Sequence, residues 1–373
     1  MQDNFFSSEE SPTSDDNVEN TETLETDVID RDSDNSSFNI GQEDIDTRSN
    51  DGNIIDVDND FGGDLEQAIA SANDGDIVQI GDSTYYTDGI IIDKNITVEG
   101  TEGSAIDGGG TSESIITLTP EASGTTIQDL QITNGNNGIS GNGATDITLQ
   151  NIGVNNIGLN QTIRSGDNNS AISLSRADGL TILDSKIENV GRKGVGVGDT
   201  DGALISGLTV QNVNLAAEHV QSHDAAGVKL YNTNNVAVRD SYFADINAIS
   251  IWNDTSNGTT IEGNTIENVG EDFIAPGFND NVLISGIYNE KSSNSTVRYN
   301  TGTSLNEFLV LDATEFSAET MTFSDNDFSA YELGTQDYWV NEEAEKLIAT
   351  TENPSEANFS LLSSQYYGQA NIG

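Results

Sequence analysis

The chain has 373 residues, with 63 acidic side chains against 13 basic ones, a formal charge of -50 and a pI near 4.1. Such an excess of negative charge favours solubility and excludes ordinary binding to a phosphate backbone; it also disfavours polyanionic substrates unless a cation such as calcium bridges them. Cysteine is absent, which excludes disulfides and thiolate metal sites, and no apolar run approaches the length of a membrane span.

Residues 1–52 carry 16 acids and two arginines among Ser, Asn and Thr, with Phe5, Phe6 and Phe38 as their aromatics. That composition cannot bury enough apolar surface to offset the entropy of ordering, so an acidic, disordered leader is expected there. The start, "MQDNFFSSEE", lacks the basic-then-apolar pattern of a cleaved signal peptide. Next, "DVDNDFGGDLEQ" (56–67) has acids spaced as in a calcium loop, but Phe61 stands where such a loop needs glycine. "GGDLEQAIASAN" (62–73) then spaces Leu65, Ala68, Ile69 and Ala72 along one side of a short helix.

From there the chain repeats itself. "DGLTILDSKIENVG" (178–191), "DGALISGLTVQNVN" (201–214), "NNVAVRDSYFADIN" (234–247) and "NGTTIEGNTIENVG" (257–270) align without a gap, and weaker copies lie on either side. Their apolar anchors are Ile127, Leu149, Ile182, Ile205, Val238, Ile261, Val297 and Phe323. Apolar and polar positions alternate around each anchor, which is the period of a strand. Seven residues later come Asn134, Asn156, Asn189, Asn212, Asp245 and Asn268, one per repeat, which suggests a ladder of stacked amides. Short strands, a fixed turn residue and a repeat of 22 or 23 residues predict a parallel β-helix. Such a rod must cover its end strands. The helix at 62–73 suits one end, and "DYWVNEEAEKLIATT" (337–351), with Tyr338, Trp339 and a helix turn, is expected to cover the other.

Three long insertions break the repeat, at Gly158–Ile172, Asn214–Val228 and Gly270–Ser285. Their starts are 56 residues apart, or two coils, so they should leave one turn at alternate coils and form a wall along a binding face. After the wall, "VKLYN" (228–232), "ISIWN" (249–253) and "SGIYN" (285–289) align so that Tyr231, Trp252 and Tyr288 form an outward aromatic row. Flat apolar faces beside polar loops suit a sugar chain. On another strand Arg239, Glu262 and Arg298 fall on consecutive coils, a charge ladder from which Arg239 could also reach substrate.

Both histidines of the chain lie in the central insertion, "NLAAEHVQSHD". His219, His223, Asp224 and Lys229 are the candidate catalytic residues, able to take a uronate C5 proton and to return or eject one. Glu218, Asp224 and Asp272 are candidate ligands for a calcium ion that would neutralise a substrate carboxylate. Zinc on His219 and His223 lacks a third strong ligand at suitable spacing.

The segment "LEQAIASANDGDIVQIGDSTYYTDGIIIDKNITVEG" (65–100) runs from a cap helix to G-D-x-[IV], a tyrosine strand and an I-x-V-x-G coil. In this it resembles the opening of pectate-lyase-like right-handed parallel β-helix proteins, with their PbH1-type repeats, over roughly 60–335. The resemblance implies the fold but not one activity, because that superfamily includes lyases, hydrolases, uronate epimerases, esterases, tailspikes and adhesins. Its polygalacturonase-like motifs are missing, and where pectate lyases carry Asp-His this chain has His223-Asp224.

The expectation is an all-β chain: an acidic leader over 1–52, a single-stranded right-handed parallel β-helix of about 8–10 coils over 53–335 with a short N-terminal cap helix, and a capping segment over 336–373. The expected function is recognition of an extracellular or cell-surface polysaccharide, with polyuronate lyase or C5-epimerase chemistry at the wall; the alternative is a non-catalytic structural or adhesive rod. A monomer is expected, with calcium but no organic cofactor and no nucleic-acid partner. Export would then use a route without a cleaved N-terminal signal.

Overall fold

The computed structural model describes residues 52–110, 112–159, 169–214, 225–270, 285–305, 309–312, 322–330 and 338–340. Their strands are mostly three to six residues long, and they stack into three parallel sheets of eleven, ten and ten strands. The first sheet runs from Ile54–Asp56 to Thr322–Ser324, the second from Thr84–Tyr86 to Asp327–Ala330, and the third from Ile90–Ile92 to Tyr338–Val340. Each turn of the chain visits the three sheets in that order before pairing with the turn below, which makes the fold a parallel β-helix.

The apolar repeat dictates this stacking. Ile127, Leu149, Ile182, Ile205, Val238, Ile261, Val297 and Phe323 pair coil by coil in the first sheet, in the register expected from sequence. From Ile127 to Val297 these side chains are fully buried in the lumen, together with Ile187, Val210, Phe243 and Ile266 of the second sheet and Val195, Val228 and Ile251 of the third. Alternate residues point outward, as strand geometry requires.

The turn residues are equally specific. Asn134, Asn156, Asn189, Asn212, Asp245 and Asn268 have φ of 59, 55, 55, 55, 54 and 52°, the left-handed region that Asn and Asp tolerate best. The expected amide ladder is present in part. Asn212 donates to Asn189 at 3.1 Å and Asn268 to Asp245 at 3.3 Å, whereas Asn156 turns to its own neighbour Asn155 at 2.9 Å. A second, buried ladder follows the first sheet. There Asn264 Nδ2 donates to Asn300 Oδ1 and Asn300 Nδ2 to Asn326 Oδ1, both at 2.9 Å, and each acceptor also takes the backbone N–H of the coil before it.

At the N-terminal end two helices, Val57–Phe61 and Leu65–Ser71, lie between the first two strands of the first sheet. Asp56 and Asp64 cap them by accepting from the backbone N–H of Asn59 and Gln67, both at 2.9 Å. Leu65, Ala68, Ile69 and Ala72 are buried, as the helical spacing predicts. At the other end Tyr338–Val340 pairs with Leu309–Leu311 as the last described strand of the third sheet. The expected helix turn beyond it and the leader lie outside the described residues.

Candidate functional site

The three long connections leave one turn. Gly158, Gly191, Asn214, Asn247 and Gly270 occupy equivalent places, each donating its backbone N–H to the coil before. Long connections begin at 158, 214 and 270, and short ones at 191 and 247 join directly into the third sheet. Most of each long connection, with His219, His223, Asp224, Glu218 and Asp272, lies outside the described residues. Lys229, Tyr231, Trp252 and Tyr288 follow on the outer face of the third sheet.

The register there corrects the aromatic row. Val228, Ile251 and Ile287 are the paired lumenal residues, so Lys229, Trp252 and Tyr288 form one outward row and Tyr231, Asp254 and Glu290 the next. Tyr231 therefore lies two residues along its strand from the place opposite Trp252. Exposure differs as well: Trp252 and Tyr288 are 4% exposed and Tyr231 is 52% exposed. Trp252 and Tyr288 pack with Ala226 and Ile249 in a small apolar cluster of their own, their rings 5.6 Å apart and tilted by 31°. Of the three only Tyr231 is exposed, with Lys229 Nζ 6.0 Å from the centre of its ring.

These residues enclose a polar cluster. Lys229 Nζ sits 3.4 Å from the centre of the Trp252 ring and 3.0 Å from Asp254 Oδ2. Trp252 Nε1 donates to Glu290 Oε2 at 3.0 Å, and Thr255 Oγ1 donates to Asp254 Oδ1 at 2.6 Å. Asp254 and Glu290 are paired positions on adjacent strands, so two carboxylates stand one strand spacing apart, about 4.8 Å at the backbone. Along the same two rows, earlier coils carry Ser173 and Gly196 beside Ser175 and Gly198. This is a floor of small residues leading up to Lys229 and Tyr231, with the Lys193 side chain lying over Gly196.

Burial, and then the Asp254 carboxylate, push Glu290 above the usual carboxylate range, against the Trp252 hydrogen bond and the charges of Lys291 and Lys229. The folded chain thus binds the Glu290 proton more tightly than the unfolded chain does. The stability this contributes is complete below the ordinary glutamate value and is lost as pH rises through the raised folded value. Thermal melts between about pH 4 and 8 should show wild type losing stability with rising pH relative to Glu290→Gln. Parallel curves for the two chains would refute that sign.

Arg239 is elsewhere. It lies on the outer face of the first sheet, opposite Glu262, which forms an ion pair with Arg298 at 3.1 Å. The charge ladder is therefore present between Glu262 and Arg298, and Arg239 is on a different sheet from Tyr231. Among the described residues, no group of three or more His, Cys, Asp or Glu gathers as a metal site. No described helix is long and apolar enough to cross a membrane.

Sequence reasoning missed Asp254 and Glu290. The signal was there, since framing the strands on Val228, Ile251 and Ile287 puts both acids in the row of Tyr231. The alternation was obscured by Asn253 and Asn289, which occupy lumenal places where Leu230 stands one coil earlier. They are buried because they satisfy each other: Asn253 Nδ2 donates to Asn289 Oδ1 at 2.6 Å, and Thr259 Oγ1 donates to Asn253 Oδ1 at 2.9 Å.

With this geometry, the fold is that of a right-handed parallel β-helix, and residues 170–334 match the family described as the right handed beta helix region. Among solved structures, an alginate lyase from Paenibacillus sp. str. FPU-7 is similar over 74% of this chain and 96% of its own, with 16% identity and a TM-score of 0.55. The catalytic domain of a GH87 alpha-1,3-glucanase in complex with tetrasaccharides is similar over 74% of this chain, with 12% identity and a TM-score of 0.52. This chain spans 58% of that domain. At such identities the likeness is one of fold. No curated protein matches the sequence.

Proposed function

We propose that the protein recognises an extracellular or cell-surface polysaccharide on the outer face of its third sheet. The observation that carries this reading is the exposed Tyr231 ring, set at the end of the small-residue floor and beside the Lys229–Asp254–Glu290 cluster. A pyranose stacked on Tyr231 would find hydrogen-bonding groups one coil away. The glycan-active neighbours of the same fold agree with this reading without choosing a substrate.

Lys229 already faces Asp254, and Glu290 adds a second carboxylate in the same row as Asp254, so the described part of the surface favours a neutral chain over a polyuronate. Uronate lyase or epimerase chemistry would rest on His219, His223 and Asp224, with calcium held by Glu218, Asp224 and Asp272.

The test is affinity electrophoresis and calorimetry against neutral glucans, alginate, pectate and glycosaminoglycans, with calcium or with chelator. Wild type is expected to bind a neutral glycan, and Tyr231→Ala to weaken binding by about 1–3 kcal/mol, or roughly 5–150-fold, with an unchanged melting temperature. Proton NMR of the polyuronate samples would reveal unsaturated ends or epimerised residues. Absence of binding across the panel would sink recognition and leave the structural or adhesive rod.

A further inference from the structure

We propose that Glu290 and Asp254 are a proton donor and a nucleophile that hydrolyse the glycosidic bond of a neutral glycan laid along the Tyr231–Asp254–Glu290 row. This rests on the recognition reading above and assigns it a reaction.

The starting point is a cost. Like charges directly opposite each other on neighbouring strands are destabilising, and more so when both are shielded from water. Asp254 and Glu290 are such a pair, with side chains 12% and 20% exposed. A structural role alone would be served better by one acid, since one carboxylate suffices to pair with Lys229.

The surroundings also make the two acids unequal. Asp254 forms an ion pair with the Lys229 ammonium at 3.0 Å. The Glu290 side chain is held by the neutral indole N–H of Trp252 and lies 4.0 Å from Lys291. Burial and the Asp254 charge favour its protonated form. Two carboxyl groups with environments that separate their protonation states are the usual basis for an acid and a nucleophile in one site.

The geometry supplies the rest. Tyr231 precedes Asp254 by one coil in the same outward row, and Asp254 precedes Glu290 by one more. A sugar residue is about as long as the coil spacing. With one ring stacked on Tyr231, the next sugar therefore lies over Asp254 and the glycosidic bond beyond it falls between Asp254 and Glu290.

In the first step the bond from the anomeric carbon to the leaving oxygen breaks, that oxygen takes the Glu290 proton, and an Asp254 oxygen bonds to the anomeric carbon. In the second, water attacks the anomeric carbon and passes its proton to Glu290, and the ester to Asp254 breaks. The products are two shorter glycans, and the pair returns to its starting state. The two residues stand one strand spacing apart at the backbone, on the scale of the roughly 5–5.5 Å carboxyl separation of retaining glycosidases, so retention is the expected outcome.

The test uses the full chain with linear α-1,3-, α-1,4-, β-1,3- and β-1,4-linked glucans, following new reducing ends and their anomeric signals by proton NMR. Wild type is expected to cleave at least one glucan that it binds, with retention. Glu290→Gln, which keeps an acceptor for Trp252, and Asp254→Asn should each lower the rate by about 10²–10⁴-fold while binding persists. On an aryl glycoside with a good leaving group, azide should restore turnover to Glu290→Ala as a glycosyl azide of retained configuration, but not to Asp254→Asn. Circular dichroism melts of each variant separate lost chemistry from lost fold. A wild type that binds glucans through Tyr231 yet releases no reducing ends overturns the hydrolysis and leaves recognition standing. A wild type that binds none removes both.

Discussion

Lys229→Met should destabilise the protein by about 3–5 kcal/mol, because it strips the cation from a buried ion pair and leaves the carboxylate behind. Lys229 and Asp254 are 9% and 12% exposed at their side chains, so water can do little to replace the lost ammonium. The damage spreads to the neighbouring coil. Lys229 also offsets charge at Glu290, and without it two carboxylates face each other across one strand spacing. The contact with the Trp252 ring, 3.4 Å from Nζ, is lost as well. Denaturant melts measure the size of the effect, and its pH dependence identifies the cause. The deficit should shrink at acid pH as the stranded carboxylates take up protons, and adding Asp254→Asn should recover part of it at neutral pH. A Lys229→Met chain that melts like wild type at neutral pH would show that the pair contributes no stability.

A loss of similar size is expected in the lumen. Phe243→Ala should cost about 3–5 kcal/mol, since Phe243 is fully buried and is the bulkiest of the fully buried side chains described. Its ring uses space that the neighbouring sequence leaves open: a Cβ at Gly227 would stand 3.0 Å from Phe243 Cδ1 and 2.6 Å from the Ser250 carbonyl oxygen. The two positions are complementary, a large side chain on the second sheet against a missing one on the third. Truncating the ring leaves a hole that rigid coils above and below cannot collapse to fill. The urea midpoint should fall with an unchanged slope. A cost under about 1 kcal/mol would mean that the coils relax into the space.

The contrast between the lumen and the outer face explains what could be read from sequence. Anchors such as Ile182, Ile205 and Val238 are aliphatic on coil after coil and have no alternative to burial, so spacing alone set their register correctly. The left-handed turn at Asn189 and Asn212 was legible for a similar reason, since few residue types accept that backbone. Trp252 and Tyr288 were placed in the right row relative to each other but were expected to be exposed. Their burial depends on packing against Ile249 and Ala226 on the outside of the sheet, which no alternation pattern records. Tyr231 slipped by two residues because Asn253 and Asn289, polar by type, are inside by virtue of their partners. Asp254 and Glu290 were invisible until that slip was corrected.

The in-register stacking also makes the length of this protein change in quanta. Thr181 pairs with Leu204 across a step of 23 residues, and the other two sheets repeat the same step at Lys186 with Thr209 and at Ile172 with Val195. Loss of residues 181–203 would join Ile182's neighbour Leu149 to Ile205 with every sheet still in phase, whereas loss of a single residue within a strand would turn its inner face outward. The excised coil would take Gly196 and Gly198 from the floor and bring Ser175 beside Tyr231, leaving Tyr231, Asp254 and Glu290 together. Descendants of such a chain can therefore shorten or lengthen the track that leads to the acid pair, one whole coil at a time, without redesigning the pair itself.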